Sequence, residues 1–208
     1  MYSWKEVSAV CTFCLAGSGL TIINKYLLSD LSLYPGILTF VQCMFTAGLL
    51  HSFRSLFPQL RQEIVPITYE NAKQWMILVL YFACLLMTSM YALERVTVTT
   101  LIVVRNLTTL TTAFFDFSVL GTKFSGAQQV FLILIFLGAC LYGIHDASYD
   151  AIGYVFLLLN CCANTAYQIK VKILVRDLDL SALSMAYYNN TLCLPVVFLI
   201  SMISGEMN

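Results

Sequence analysis

The chain has 208 residues, 60% of them hydrophobic and only 11% charged, and its eleven basic and eleven acidic residues cancel. A soluble domain carries roughly a quarter charged residues, so this composition excludes one and indicates an all-α, polytopic membrane protein. The zero net charge says nothing about partners, and no nucleic acid is expected among them.

Counting apolar runs predicts seven transmembrane helices, at about 7–28, 34–57, 74–93, 97–119, 127–145, 151–170 and 183–203. The first run is too long for the apolar region of a cleavable signal peptide. It carries Cys11 and Cys14, but no second pair or histidine accompanies them. The eight cysteines all fall in apolar stretches, where small packing residues are the simpler reading, and no metal or cofactor is expected. Near the far end of this run stands Asn24-Lys25. Lys25 either snorkels to the interface or joins a ligand site. After the second run comes the polar connection from Arg54 to Lys73, which holds two prolines.

The fourth run, "TVTTLIVVRNLTTLTTAFFDFSVLG", is the most polar. Arg105, Thr109, Thr112 and Asp116 fall at i, i+4, i+7 and i+11, and at about 100° per residue they share one helix face. Asn106 and Thr108 flank it. The face is either a threonine-rich packing surface with a snorkelling arginine, or the wall of a water-filled cavity whose cation attracts an anion. The sixth run repeats the pattern with Asn160, Asn164 and Gln168 at i, i+4 and i+8, a stripe suited to interhelical hydrogen bonds or to a cavity. The seventh begins "MAYYNNTLCLP", with Asn189 and Asn190 adjacent where hydrocarbon is expected. Two sequons, at Asn106 and Asn189, lie inside predicted spans, out of reach of glycosylation.

Charge orients the spans. With the N-terminus in the cytosol, the cytosolic side receives Lys5, Arg54, Arg61, Lys73, Lys123, Lys170, Lys172 and Arg176, leaving Lys25, Arg95 and Arg105 for the membrane or the far side. That is a positive-inside bias. An intramembrane enzyme is not expected: there are two histidines, no H-E-x-x-H, and no acids paired at i and i+4 within a predicted span.

Several stretches resemble the nucleotide-sugar transporters of the drug/metabolite transporter superfamily, and among them the GDP-mannose transporters. "TSMYALERVTVTTLIVVRNLTTLTTAFFD" is similar to their third-to-fourth helix signature, and "MAYYNNTLCLP" to their F-Y-N-N motif. "LTIINK" and "GYVFLLLNCCANTAY" also fit, so the resemblance covers essentially the whole chain. Departures are Arg105 for the usual lysine, Tyr91 for a frequent lysine, Thr97 and Thr99 in the A-V-P piece, Tyr187 for phenylalanine, and Phe13 for a tyrosine.

The resemblance implies a ten-helix fold of two inverted repeats. Residues 1–208 would form one membrane domain, the first repeat at about 1–147 and the start of the second at about 148–208. The family's G-A-L-N-K motif has no counterpart here, so the chain is expected to be an N-terminal fragment or shortened isoform. The implied function is import of a GDP-sugar, GDP-mannose foremost, into the Golgi lumen in exchange for GMP, with the endoplasmic reticulum as the other compartment in view. The alternative is a non-transporting form that binds or regulates a full-length relative, so the lipid bilayer is joined as partner by a homo- or hetero-oligomer. The implied substrate-binding residues are Asn189, Asn190, Tyr188, Arg105, Asn106, Asn160, Asn164 and Lys25. An asparagine amide both donates and accepts, and so matches the N1–H, N2–H and O6 edge of guanine. Neighbouring residues on a helix point about 100° apart. One of Asn189 and Asn190 is therefore expected to face the base, and the other to reach it from the side or brace a helix; bracing by both is the competing reading.

Overall fold

A computed structural model describes residues 4–121, 124–144, 150–178 and 180–206. These residues form eight helices: α1 (Trp4–Ser29), α2 (Pro35–Leu56), α3 (Pro58–Glu63), α4 (Tyr69–Arg95), α5 (Val98–Leu120), α6 (Gly126–Ile144), α7 (Ala151–Leu178) and α8 (Ala182–Ile203). All but α3 are long and apolar enough to cross a membrane, giving the seven predicted spans. Helices are the economical solution there, because each closes its own backbone hydrogen bonds where water cannot.

The helices overrun the predicted spans most at two places. α4 starts five residues before 74, and α7 runs eight past 170. Hydropathy detects the change of solvent, whereas Lys170 and Lys172 are good helix formers and end nothing. The connection after α2 contains the short α3, opened by Pro58 at its first turn, a position where the missing N–H costs nothing. Several helix starts are capped by side chains. The Ser181 hydroxyl accepts from the Ser184 amide at 3.1 Å, and Asp150 accepts from the Gly153 amide at 2.7 Å.

α4 is the hub. It packs on α7, α8, α2 and α1, while α2 also lies along α8 and α5 along α7. Within the apolar window of α4, 44% of residues are buried; the figure is 6% for α1 and 0% for α6, which therefore form the rim. Two apolar clusters flank the middle of α4. One gathers Ile64, Trp75, Leu78, Val79, Tyr188 and Val197; the other gathers Leu28, Leu38, Leu93, Val96, Leu101 and Leu157. Small residues set the closest approaches, as expected where packing rather than water drives association. A Cβ on Gly153 would lie 2.6 Å from Val96 Cγ1, and one on Gly36 would collide with Ser201 and Glu206.

Polar side chains tie the ends of the bundle. Lys25 Nζ donates to the carbonyls of Leu93 at 2.8 Å, Glu94 at 3.2 Å and Val96 at 3.0 Å. An ammonium so placed satisfies orphan carbonyls at the negative end of α4. Beside it, Arg95 and Asp150 form a half-exposed ion pair at 4.0 Å. At the same end, Glu206 is buried. One of its oxygens accepts from the Gly36 amide at 2.7 Å, at the first turn of α2, and the other from the Tyr91 hydroxyl at 2.5 Å. A carboxylate at a helix N-terminus is favourable, and this one joins α2, α4 and the end of α8.

Candidate functional site

The polar residues of the spans divide into those that brace helices and those that line cavities. The first group is larger than the sequence implies. Asn189 is buried: its Oδ1 accepts from Trp75 Nε1 at 2.8 Å, and its Nδ2 donates to the Tyr167 hydroxyl at 2.6 Å. It therefore couples α8 to α4 and α7. Tyr188, fully buried, donates to the Pro66 carbonyl at 2.8 Å, lies 3.4 Å from Asn71 Nδ2 and meets the Trp75 ring edge-on. It anchors the connection before α4. Ser184 supports the same connection, donating to the Glu63 carbonyl at 2.6 Å and accepting from the Val65 amide at 2.9 Å.

Asn160 likewise faces α4, donating to the Leu85 carbonyl at 2.7 Å and lying 3.2 Å from Thr88 Oγ1. Asn164 accepts from Gln168 of its own helix at 3.2 Å. Lys25 caps α4, as described above. Four of the eight expected ligand residues, Lys25, Asn160, Tyr188 and Asn189, are thus bonded to other elements of the fold. Bracing is the cheaper use of a polar group in hydrocarbon, because an unpaired amide or ammonium there is costly.

Asn190 is different. Its Nδ2 donates to the Ala186 carbonyl one turn back at 2.9 Å, and the residue lines a cavity of about 290 Å³ between α1, α2, α4 and α8. Thr39, Gln42 and Thr46 of α2 supply the other polar lining, with Leu20, Phe45 and Leu86 among the apolar walls. The sequence reading passed over Gln42. The signal was present, since an amide in the middle of an apolar run is unusual, and Thr39, Gln42 and Thr46 fall at i, i+3 and i+7 on one face of α2. Beside Asn190, the Thr191 hydroxyl is buried and finds no partner among the described residues.

A second cavity, of about 390 Å³, opens between α5, α6 and α7. Thr109 and Thr112 meet Gln168 there, together with Gln128 and apolar residues of α6. The two stripes read from the sequence thus converge through these three residues. The Thr112 hydroxyl is buried without a partner among the described residues. Arg105 and Asn106, one turn or less from Thr109, are exposed, and Arg105 makes no ion pair with the described residues. The side chain of Asp116, the fourth member of that face, lies outside the described set.

Residues 4–144 match the EamA-like transporter family. Over 203 residues the chain is 27% identical to a GDP-mannose transporter of Arabidopsis thaliana, covering 94% of this chain and 60% of that protein. It is 28% identical over 204 residues to GDP-fucose transporter 1 of the same plant, covering 96% and 58%. A GDP-mannose transporter of Scheffersomyces stipitis is 24% identical over 209 residues, covering 94% and 62%. The chain spans about 60% of the length of these relatives.

Proposed function

The chain belongs to the EamA-like transporter family, and on that premise we propose that it handles a GDP-sugar, GDP-mannose foremost, for import into the Golgi lumen in exchange for GMP. The N-terminus lies in the cytosol on this reading, as the basic excess requires. The base sits against Asn190, and Arg105 keeps the route positive for the diphosphate. The observation that carries the reading is the division of labour in the double asparagine. Asn189 is bonded at both its oxygen and its nitrogen, by Trp75 and Tyr167, while its neighbour stands in a cavity within the bundle that Thr39, Gln42 and Thr46 also line. Support also comes from the names of the relatives, which are GDP-mannose and GDP-fucose transporters.

The test has two stages. The purified chain in detergent should gain thermal stability from GMP and GDP-mannose, and none from UMP or CMP. Liposomes loaded with GMP and carrying the chain then decide between the two roles, saturable uptake of labelled GDP-mannose assigning transport to this chain by itself. Equal protection by all four nucleotides would end the guanine assignment. Binding without uptake would assign the chain the second role, a binding partner of a longer relative.

A further inference from the structure

The cavity beside Asn190 has a chemical polarity that no single helix reveals. Each polar side chain lining it has turned a donor back onto the protein. The Thr39 hydroxyl donates to the Pro35 carbonyl at 2.8 Å, and that of Thr46 to the Gln42 carbonyl at 2.9 Å. Asn190 Nδ2 donates to the Ala186 carbonyl at 2.9 Å. Gln42 Nε2 donates to Asn24 Oδ1 on α1 at 2.6 Å, and Asn24 is itself buried. The hydroxyls have no second proton to give. The carboxamide oxygens of Gln42 and Asn190 are left without a partner among the described residues. Each amide nitrogen keeps one further N–H, so the lining offers four oxygens against two N–H groups, and it contains no lysine or arginine.

We propose that Gln42 is a second base-reading residue, positioned by Asn24, and that its oxygen and that of Asn190 together select a ligand edge presenting two adjacent N–H donors. Among nucleobases this is the N1–H and N2–H edge of guanine. Adenine and cytosine set one amino donor beside a ring acceptor, and uracil flanks its single N–H with two carbonyls. The assignment rests on the reading of the site given above. The volume supports it: about 290 Å³ lies at the bottom of the roughly 300–1,000 Å³ range of small-molecule pockets. A base fits such a space and a complete sugar nucleotide does not. Leu20, Phe45 and Leu86 offer apolar surface to the ring faces, and the acceptor lining disfavours phosphate.

The experiment measures thermal protection of the purified chain by GMP and by inosine monophosphate, which lacks the 2-amino donor. Wild type should bind GMP about tenfold more tightly than inosine monophosphate, the factor expected when a built acceptor loses its donor. Gln42→Ala should weaken GMP about tenfold and bring the ratio of the two ligands towards one. Gln42→Glu keeps an acceptor and should keep the preference, while Asn24→Ala should reduce the ratio by loosening Gln42. The unliganded melting temperature of each variant reports whether it folds, and the wild-type ratio requires no variant. Equal binding of the two ligands by wild type overturns the inference, as does an unchanged ratio in folded Gln42→Ala; in both cases binding of GMP itself leaves the broader reading standing. No protection of wild type by either ligand overturns both.

Discussion

Replacing Asn189 by alanine removes two buried interhelical bonds, from Trp75 Nε1 at 2.8 Å and to the Tyr167 hydroxyl at 2.6 Å. The indole N–H is then left in a site with no exposure to solvent, with no other acceptor among the described residues. Interhelical hydrogen bonds in bilayers average about 0.6 kcal/mol and reach about 1.7; stranding a buried donor costs about 1–3 kcal/mol. Asn189→Ala should therefore lose about 1–3 kcal/mol of stability. Asn190→Ala gives up one bond within its own helix, and alanine offsets part of that loss through its higher helix propensity, so its stability should stay within about 0.5 kcal/mol of wild type. Ligand response should divide the other way: Asn190→Ala loses GMP protection, and Asn189→Ala retains it at temperatures where it is folded. Denaturant titration in detergent measures the first quantity and nucleotide-dependent melting the second. A wild-type stability for Asn189→Ala, or equal destabilisation of the two variants, would refute the reasoning. Trp75→Phe combined with Asn189→Ala supplies the coupling, since removing donor and acceptor together should cost less than the sum of the single changes.

Glu206→Ala strands the Gly36 amide and the Tyr91 hydroxyl and should cost about 1–3 kcal/mol, whereas Glu206→Gln can accept from one and donate to the other and should recover most of that loss in the same titration. Lys25→Met uncaps three carbonyls at the end of α4 and should cost about 1 kcal/mol, with faster hydrogen exchange confined to residues around 93–96. Arg105→Gln should leave the melting temperature near wild type, because Arg105 is exposed and makes no ion pair with the described residues, yet should lower uptake of GDP-mannose; unchanged uptake would show that the arginine only snorkels.

The spans were legible because hydrocarbon imposes a strong, local requirement: about twenty apolar residues with few charges. The same requirement made the intramembrane amides and Arg105 visible as exceptions. Their uses were not legible to the same degree. Thr109, Thr112 and Gln168 come together in one cavity because helical periodicity is a local rule, and two marked faces on packed helices can meet. Lys25 could not be read as the cap of α4, because its acceptors lie 68–71 residues away. Gln42 shares a helix face with Thr39 and Thr46, but only the tertiary structure sets Asn24 of α1 and Asn190 of α8 beside that face.

The sequence by itself determined the class of the molecule, the number of its spans, the sidedness its charges favour and the residues that hydrocarbon would penalise. All of these follow from composition and from periodicity along one helix. The tertiary structure alone decided how each helix is turned about its axis and which helix it meets. A rotation of about 100° separates Asn189 from Asn190. It sends the first amide to Trp75 and Tyr167 and leaves the second in the cavity with Gln42. That rotation is set by the close packing of α8 against α2 and α4, a property of three helices together that no one of them encodes.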